Sequence, residues 1–293
     1  MKVLITGASG LVGGAIARHL IQAGHDVTCL VNNQNVELRC DYVTGRLGDA
    51  SLVQKVLSNS PRCDAIIHAA AKISYDNTHP EIITTNIIGT EQLIQLARKW
   101  HSKTFVYLSS IGVIGKPVYH PITEDHPVNP LSLYHASKLF GEHLVLLQSD
   151  IPSRVILRLT APVGVHMPQQ RILPAFVKNA IQHLPLQIQG SGERQQNYVD
   201  VRDITQCVCN ALSYTGTGIF NLGGSDCISN LKLARLCIEL LNSKSTIEHS
   251  STADPAPDEV WNVSIDRAKK QLNYQPQFDI RSVIRQLADY YAH

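Results

Sequence analysis

Several functional classes leave marks that this sequence lacks. It holds no Cys-x-x-Cys pair, no His-Glu-x-x-His and no grouping of cysteine with histidine, and its 13 histidines are scattered. No zinc-type ligand spacing is present, so no metal site is expected. Lysine and arginine number 26 against 24 for aspartate and glutamate, a formal net charge of +2. Nucleic acid and anionic membrane surfaces both call for clustered Lys and Arg, so neither is an expected partner. No apolar run approaches the length of a membrane span, and there is neither an internal repeat nor a low-complexity tail. The seven cysteines, an odd number without paired spacing, suit a reducing compartment and a packing role, and the cytoplasm is the expected location. Cys207 and Cys209 fit either opposite faces of a strand or one helix. What remains, 44% hydrophobic and 17% charged over 293 residues, is a soluble globular chain of one large domain or two.

Glycine, by contrast, is concentrated. Residues 6 to 14 read TGASGLVGG, behind the β-branched run Lys2 to Thr6 and ahead of Leu11 to Ala23, whose apolar residues recur at helical spacing before a stop at Gly24. A strand-to-helix turn is predicted. Gly7 allows the tight turn, Gly10 lets a ligand approach the main chain, and Gly13 lets the helix pack close to the sheet. Helix amides placed this way favour a diphosphate, although an ordinary tight turn uses the same residues. MKVLITGASGLVGGAIA superficially suggests a leader, but the glycines break its apolar core and the segment already fits strand, turn and helix.

The same alternation continues. Strands are predicted at Asp26 to Val31, around Tyr42 and Val43, from Ala65, at Thr104 to Ser109 and at Arg154 to Leu159. Helices are predicted at Asp49 to Leu57, Ile82 to Trp100 and Leu133 to Ser149. This is the pattern of an α/β chain with a doubly wound (Rossmann) parallel sheet, in which ligands bind beyond the carboxyl ends of the strands. From near Thr160 the pattern loosens, with Pro162, Pro168, Pro174 and Pro185, a GSGER turn at 190 to 194 and a DPAPD loop at 254 to 258. The expected organisation is a dinucleotide-binding domain over 1–160 and a smaller substrate-binding lobe over 161–293. The two are interleaved, because Ile219 to Leu222 reads as a strand returning to the first sheet.

The helix from Leu133 carries YHASK, with Tyr134 and Lys138 four apart on one face. A phenol titrates near 10, and an adjacent ammonium stabilises the phenolate, so this spacing predicts Lys138 as the cation that tunes Tyr134 for acid/base work. A loose surface pair has the same spacing. Ser109 and Ser110 fall at the rim of the fifth strand, where a hydroxyl holds a substrate oxygen or caps the next turn.

With TGASGLVGG, HAAAK at 68 to 72, NIIGT at 86 to 90, LSSIGVIG at 108 to 115, YHASK, NYVDVRDI at 197 to 204, FNLGG at 220 to 224 and DRAKKQLNYQPQF at 266 to 278 in this order, the sequence resembles the extended short-chain dehydrogenases, also called the NAD-dependent epimerase/dehydratase family, over nearly its whole length. The resemblance implies that Ser110, Tyr134 and Lys138 form a catalytic triad, Tyr134 exchanging a proton at the carbon where a nicotinamide exchanges a hydride. It implies a cofactor site of Gly7, Ser9, Gly10, Leu11, Val12, Gly13, Asn32, Arg46, Leu47, Ala69, Ala70, Lys72, Asn86, Tyr134, Lys138 and Pro162. Substrate is expected to meet Ser110, Thr160, His166 and Arg171.

Departures from the family pattern refine this. Where NAD-preferring members carry an acid, Val31 is followed by Asn32 and Asn33, and Arg46 stands where an Asp is common, so the expected cofactor is NAD(P) with a lean to NADP. Gln196 and Ala256 replace arginines that hold the diphosphate in UDP-sugar epimerases, and Ala161 replaces an asparagine; Arg171 and Arg194 restore charge from neighbouring positions. Ile111 and Gly112 stand where 4,6-dehydratases place Asp and Glu, which argues against dehydration. The expected activity is an NAD(P)-dependent oxidoreductase acting at a secondary alcohol or ketone of a small molecule. The alternatives are a nucleotide-sugar epimerase with retained NAD and a non-catalytic nucleotide-binding regulator. The resemblance also implies a homodimer formed through helices 82 to 100 and 133 to 149.

Overall fold

Short β-branched runs that show no polar alternation must be covered on both faces. The computed structural model, which describes residues 1–32, 38–250, 252–254 and 256–292, shows how. Along the chain run β1 (Lys2–Thr6), α1 (Leu11–Gln22), β2 (Asp26–Val31), β3 (Asp41–Thr44), α2 (Leu52–Asn59), β4 (Ala65–His68), α3 (Gly89–Trp100), β5 (Thr104–Ser110), α4 (Leu133–Leu146), β6 (Ser153–Leu159) and β7 (Ala161–Val163). There follow α5 (Ile172–Ile181), β8 (Leu186–Gln189), β9 (Gln195–Asp200), α6 (Val201–Leu212), β10 (Thr217–Leu222), β11 (Cys227–Ser229), α7 (Asn230–Leu240), β12 (Ile247–Ser250), α8 (Asp266–Leu272) and α9 (Ile280–Ala292).

Seven strands form one parallel sheet in the order β10-β6-β5-β4-β1-β2-β3. The doubly wound α/β fold expected from the alternation is therefore present. Successive residues of each central strand feed opposite cores: Val3 and Ile5 pack with α1, α6 and α8 on one face, while Leu4 packs with α2, α3 and α4 on the other. All three are fully buried, and at about 25 cal/mol per Å² each such side chain contributes roughly 1.5–3 kcal/mol. The chain reverses direction across the sheet between β1 and β4, whose ends are in register at Thr6 and His68. A crevice opens there beyond the carboxyl ends.

The segment after β6 leaves the sheet and returns as β10, which pairs with β6 through Phe220 and Leu157. Helices α6 and α8 also come back, placing Ile204, Cys207, Val208, Ala268 and Leu272 in the first core. Cys207 and Cys209 thus sit on a helix, Cys207 turned to the sheet. Helices α5, α7 and α9 enclose a separate core around Leu173, Phe176, Leu233 and Ile284, beside the small sheets β11-β9-β7 and β12-β8. No helix among the described residues is long and apolar enough to cross a membrane.

One predicted helix differs. The stretch from Ile82 is not α throughout: Ile83–Ile88 is a π turn leading into α3. The wider turn carries Asn86, a fully polar side chain at 1% exposure, which accepts from the Lys72 amide (2.8 Å) and donates to the Lys72 carbonyl (3.0 Å) and to Ser137 Oγ (2.9 Å). An amide with three partners on two other segments outweighs the regular ladder at that point.

Candidate active site

The crevice at the switch point continues between the sheet and the C-terminal elements as a single cleft of about 1590 Å³. Of the residues expected to hold cofactor or substrate or to act in catalysis, all but Asn86 and His166 line it, and Ala256, the replacement noted beside Gln196, does not. Asn33 lies outside the described residues.

At one end the chain turns at Gly7, where φ is +78° and an added Cβ would stand 2.7 Å from the Ala70 amide. A Cβ at Gly13 would stand 2.2 Å from the Gly7 carbonyl oxygen, so the helix start and the turn touch through bare backbone. Gly10 N-caps α1 with no side-chain cap, and no acid lies in the first turn. A Cβ on Gly10 would meet nothing nearer than Gly7 O at 3.3 Å. The first-turn residues Leu11, Val12 and Gly13 line the cleft, where a helix N-terminus favours an anion. The opposite lip carries Asn32, Arg46, Leu47 and Lys72. Glu81, which the sequence reading did not single out, bridges two of them: it pairs with Lys72 Nζ at 3.0 Å and with the Arg46 guanidinium. Lys72 first, then Arg46, hold its carboxyl below the usual range.

Behind the alanine wall runs a directed chain of hydrogen bonds. Thr90 Oγ1 donates to the Asn86 carbonyl (2.6 Å), so it accepts from His68 Nε2 (2.9 Å). His68 Nδ1 therefore accepts from Thr6 Oγ1 (2.9 Å), which in turn accepts from the Ala70 amide (3.1 Å). Burial, reinforced by Lys138, pulls the His68 pKa well down, and a neutral imidazole is the form this chain requires. Asn86 and His68 thus set the wall without facing the cleft.

At the other end, Tyr134 and Lys138 project from the first turns of α4, whose N-cap Ser132 accepts from the His135 amide. Both are buried, at 8% and 3% exposure. The Lys138 ammonium donates to Leu108 O (2.7 Å) and lies 4.7 Å from the Tyr107 ring centroid. Burial brings its pKa down to about 7, against an opposing effect of Glu142. Burial also pushes the Tyr134 phenol up, Tyr75 adds to the rise, and the cation that opposes it is Arg171. The helical spacing had predicted Lys138 in that role. The Lys138 ammonium donates to the Leu108 carbonyl, and the cation whose charge lowers the phenol against the effect of burial is Arg171, at the N-cap of α5. Arg171 is exposed to the cleft and has no acidic partner among the described residues.

The adjacent serines divide. Ser109 Oγ donates to Glu142 Oε1 (2.5 Å), within the buried ion pair of Glu142 and Arg158 (2.7 Å). Ser110 is half-buried, lines the cleft and accepts from the Gly112 amide at 3.2 Å, so it caps the turn at Ile111–Ile114 while its own proton stays available. The Tyr75 ring meets Tyr134 edge-on at 6.4 Å between centroids; nothing in its sequence neighbourhood signals this. Thr160 lines the cleft, yet its hydroxyl is committed to Asn197 Oδ1 (3.0 Å).

His166 is a correction. Its left-handed backbone (φ +72°) turns the ring out onto Tyr290, 5.2 Å between centroids, and Met167 lines the cleft in its place. Beyond Arg171 the wall is Gln187, Gln189, Asn230, Trp261 and Arg194. Arg194 pairs with Glu259 (2.7 Å) and Asp254 (3.9 Å), and the Gln196 amide, oriented to satisfy its hydrogen bonds, accepts from it at 3.1 and 3.2 Å. Charge balance is the signal that finds Glu81, Glu259 and Asp254: each faces a cation already placed in the cleft.

Residues 3–223 match the model of the NAD dependent epimerase/dehydratase family. The chain is similar to a putative UDP-glucose 4-epimerase of Methanocaldococcus jannaschii, 26% identical over 98% of this chain and 97% of that one. It is equally similar to a dTDP-glucose 4,6-dehydratase of Haemophilus influenzae, 26% identical over 99% and 98%. Among solved structures it shares its fold with a UDP-glucose 4-epimerase of Thermotoga maritima, with TM-score 0.90 and 20% identity over 100% and 99% of the two chains. A UDP-glucuronic acid 4-epimerase of Bacillus cereus, solved with UDP-glucuronic acid and NAD, has TM-score 0.85 and 22% identity over the same shares.

Proposed function

Because the chain belongs to the NAD dependent epimerase/dehydratase family, a family of enzymes of the extended short-chain dehydrogenase type, we propose that it transfers a hydride at a secondary alcohol or ketone carbon with Tyr134 as acid/base. The observation that carries the reading is that Ser110, Tyr134, Lys138 and the bare turn at Gly10 wall one cleft of about 1590 Å³. A pocket for one small ligand measures about 300–1,000 Å³, so this cleft has room for a dinucleotide and a substrate together.

A nicotinamide dinucleotide, when bound, supplies the hydride acceptor and donor. The residues present fit it. Gly10 leaves the α1 N-terminus bare and uncapped for a diphosphate, the alanines at 69 and 70 keep the wall low, and Lys138 presents spare donors at its far end. Asn32 in place of a carboxylate and the cation of Arg46 support NADP, while the lock of Arg46 on Glu81 opposes it.

At neutral pH the burial-raised phenol of Tyr134 is protonated, the form that delivers a proton to a carbonyl oxygen. Ser110 orients that oxygen by donating its free hydroxyl proton. In the reverse direction the phenol must take the alcohol proton, and Arg171 is the cation that draws it towards the phenolate. Dehydration lacks its groups. Ile111 and Gly112 follow Ser110, and the cleft carboxylates Glu81, Asp254 and Glu259 are all paired with cations.

Tyr134→Phe is expected to lower turnover by about 10²–10⁴-fold while leaving dinucleotide affinity within about twofold. A variant keeping full activity refutes the reading. The second reading, a nucleotide-sugar epimerase that reduces and reoxidises a retained cofactor in one cycle, is favoured by the full-length similarity to a protein named as such. Acid release of nucleotide from fresh protein, followed by mass spectrometry, separates them: stoichiometric NAD supports the epimerase, and an empty protein or NADP supports a reductase. The shared cleft of Ser110, Tyr134 and Lys138 speaks against a purely regulatory protein. We also propose a cytoplasmic homodimer, supported by seven free cysteines and by exposed Ile88, Phe140 and Leu147 on or beside α3 and α4. A monomer mass in solution removes the dimer.

A further inference from the structure

Two of the cysteines meet. Cys29 Sγ and Cys40 Sγ lie 3.4 Å apart across 11 positions of sequence, and both are free. The other five make no sulfur–sulfur contact among the described residues. Cys29, in the middle of β2, is fully buried, whereas Cys40 is half-buried. Local chemistry holds the pair together. Leu38, Cys40 and Tyr42 pack on the same core as Cys29, because residues two apart in an extended run share one face. The Tyr42 hydroxyl accepts from the Leu38 amide (2.9 Å) and donates to the Leu38 carbonyl (2.6 Å). The Cys40 amide donates to that same carbonyl at 3.1 Å. Cys40 thus stands in a clamped bend just ahead of the β2–β3 ladder, whose first pair is Thr28 and Asp41, and its amide is bonded within the bend and not to β2.

A thiol open to solvent beside a second, enclosed thiol is the arrangement of a reactive cysteine with its resolving partner. Burial first, then the hydrogen bond with Cys40, pushes the Cys29 thiol up, so Cys29 stays protonated and reaction starts at Cys40. The pair also lies under the cleft. β3 is the outermost strand of the sheet and pairs with β2 alone. It runs on into Gly45, Arg46 and Leu47, which line the cleft, as β2 runs on into Asn32 on the same lip. An edge strand held from one side only is the strand of the sheet most readily shifted by a new cross-link.

We infer that Cys29 and Cys40 form a reversible oxidation site for small disulfides of the glutathione class, and that the bond between them weakens dinucleotide binding. The Cys40 thiolate attacks one sulfur of the small disulfide, whose S–S bond breaks and releases one thiolate; that thiolate takes up the proton Cys40 gave to solvent. Cys29 sulfur then attacks Cys40 sulfur, displaces the second small thiolate and passes its proton to it. Two protein thiols are oxidised and one small disulfide is reduced to two thiols. A disulfide bond is about 2.05 Å long, so the step draws the start of β3 against β2 and displaces the lip that both strands carry. The site stands by itself; its consequence for binding rests on the dinucleotide reading above.

The test treats the full chain with glutathione disulfide, maps the product by mass spectrometry, and titrates NADH and NADPH before and after. The expected product has lost two hydrogens and joins the peptides of Cys29 and Cys40, with the other five cysteines still reduced. Affinity for whichever dinucleotide the reduced protein binds should fall several-fold and return on addition of dithiothreitol. Cys40→Ser should bind dinucleotide as the reduced wild type does and be indifferent to glutathione disulfide. Cys29→Ala, which lacks the resolving sulfur, should stop at one glutathione held on Cys40. A wild-type protein that gives no Cys29–Cys40 bond, links another pair or keeps glutathione on Cys40 overturns the inference. So does an affinity loss that persists in Cys40→Ser. The two readings fail separately. A Cys29–Cys40 bond that forms and reverses in a protein whose reduced form binds neither dinucleotide sinks the dinucleotide reading alone. Tight dinucleotide binding that the completed bond leaves unchanged sinks this one alone.

Discussion

Replacing Lys138 by methionine should make the protein more stable at pH 6, although it removes a residue placed in the active centre. The side chain is fully enclosed at 3% exposure, and its ammonium has one hydrogen-bond acceptor, Leu108 O at 2.7 Å, and the Tyr107 ring as partners. Burial brings its pKa from 10.5 to about 7, the strongest opposing group being Glu142 one helical turn on. At about 1.36 kcal/mol for each pH unit between these values, the charged form costs about 5 kcal/mol in the folded state. Structural relaxation and the loss of the hydrogen bond to the Leu108 carbonyl, roughly 1–3 kcal/mol for a bond to a charged donor, reduce the expected gain in Lys138→Met to about 2 kcal/mol. The sign fixes the pH window. Because the folded pKa is depressed, the unfolded chain holds one more proton between about pH 7 and 10.5, and the wild-type protein gains stability as pH rises through that interval, with no such dependence below pH 7. The variant lacks this term, so its advantage is full at pH 6 and fades towards pH 10. Urea denaturation of both proteins at pH 6, 8 and 10 measures it. Should Lys138→Met be the less stable protein at pH 6, with a difference independent of pH, the ammonium is not the costly group that its burial implies.

Three further outcomes follow from the same geometry. Gly13→Ala puts a Cβ 2.2 Å from the Gly7 carbonyl and should cost about 1–3 kcal/mol together with most dinucleotide affinity; an unchanged melting temperature and dissociation constant contradict the tight turn. Glu81→Gln frees Arg46 and should shift the ratio of NADP to NAD affinity several-fold towards NADP, measured by titration of both, whereas an unchanged ratio removes Arg46 from the adenosine end. Glu142→Gln strands the Arg158 charge at 3% exposure and should lose about 3–5 kcal/mol, while Glu142→Leu with Arg158→Leu should be nearly neutral; a double variant as unstable as the single one refutes the stranded-charge account.

The parts of the fold that the sequence made legible are those where burial is complete and the punctuation is backbone chemistry. β1 and β2 run as read, Lys2 to Thr6 and Asp26 to Val31, because both faces of these strands are covered and glycine ends the intervening helix. The stretch from Ile82 misled because its apolar spacing is helical throughout, while the π turn exists for the partners of Asn86, which lie 14 and 51 residues away. β8 is four residues of alternating exposure, LQIQ, too short and too polar to stand out among prolines and loops.

The site divides along the same line. Gly7, Gly13, Tyr134 and Lys138 announce themselves through spacing within one turn or one helix, and local geometry is what a sequence encodes most directly. Charge partners are not local. Glu81 meets Arg46 across 35 positions, Arg194 meets Glu259 across 65, and the cation acting on Tyr134 comes from α5, beyond the sheet altogether. The i, i+4 rule put Lys138 on the correct face but could not say that a nearer acceptor, the Leu108 carbonyl on β5, would take its ammonium. The electrostatics of this cleft are therefore a product of how the later segments dock on the sheet, so substitutions in α5 or around Glu259 should retune which substrate is accepted while leaving the dinucleotide turn untouched. Arg171→Gln and Glu259→Gln make that separation measurable, for each should move substrate affinity with no change in the affinity for the dinucleotide. A parallel loss of both would place the two functions in one indivisible unit.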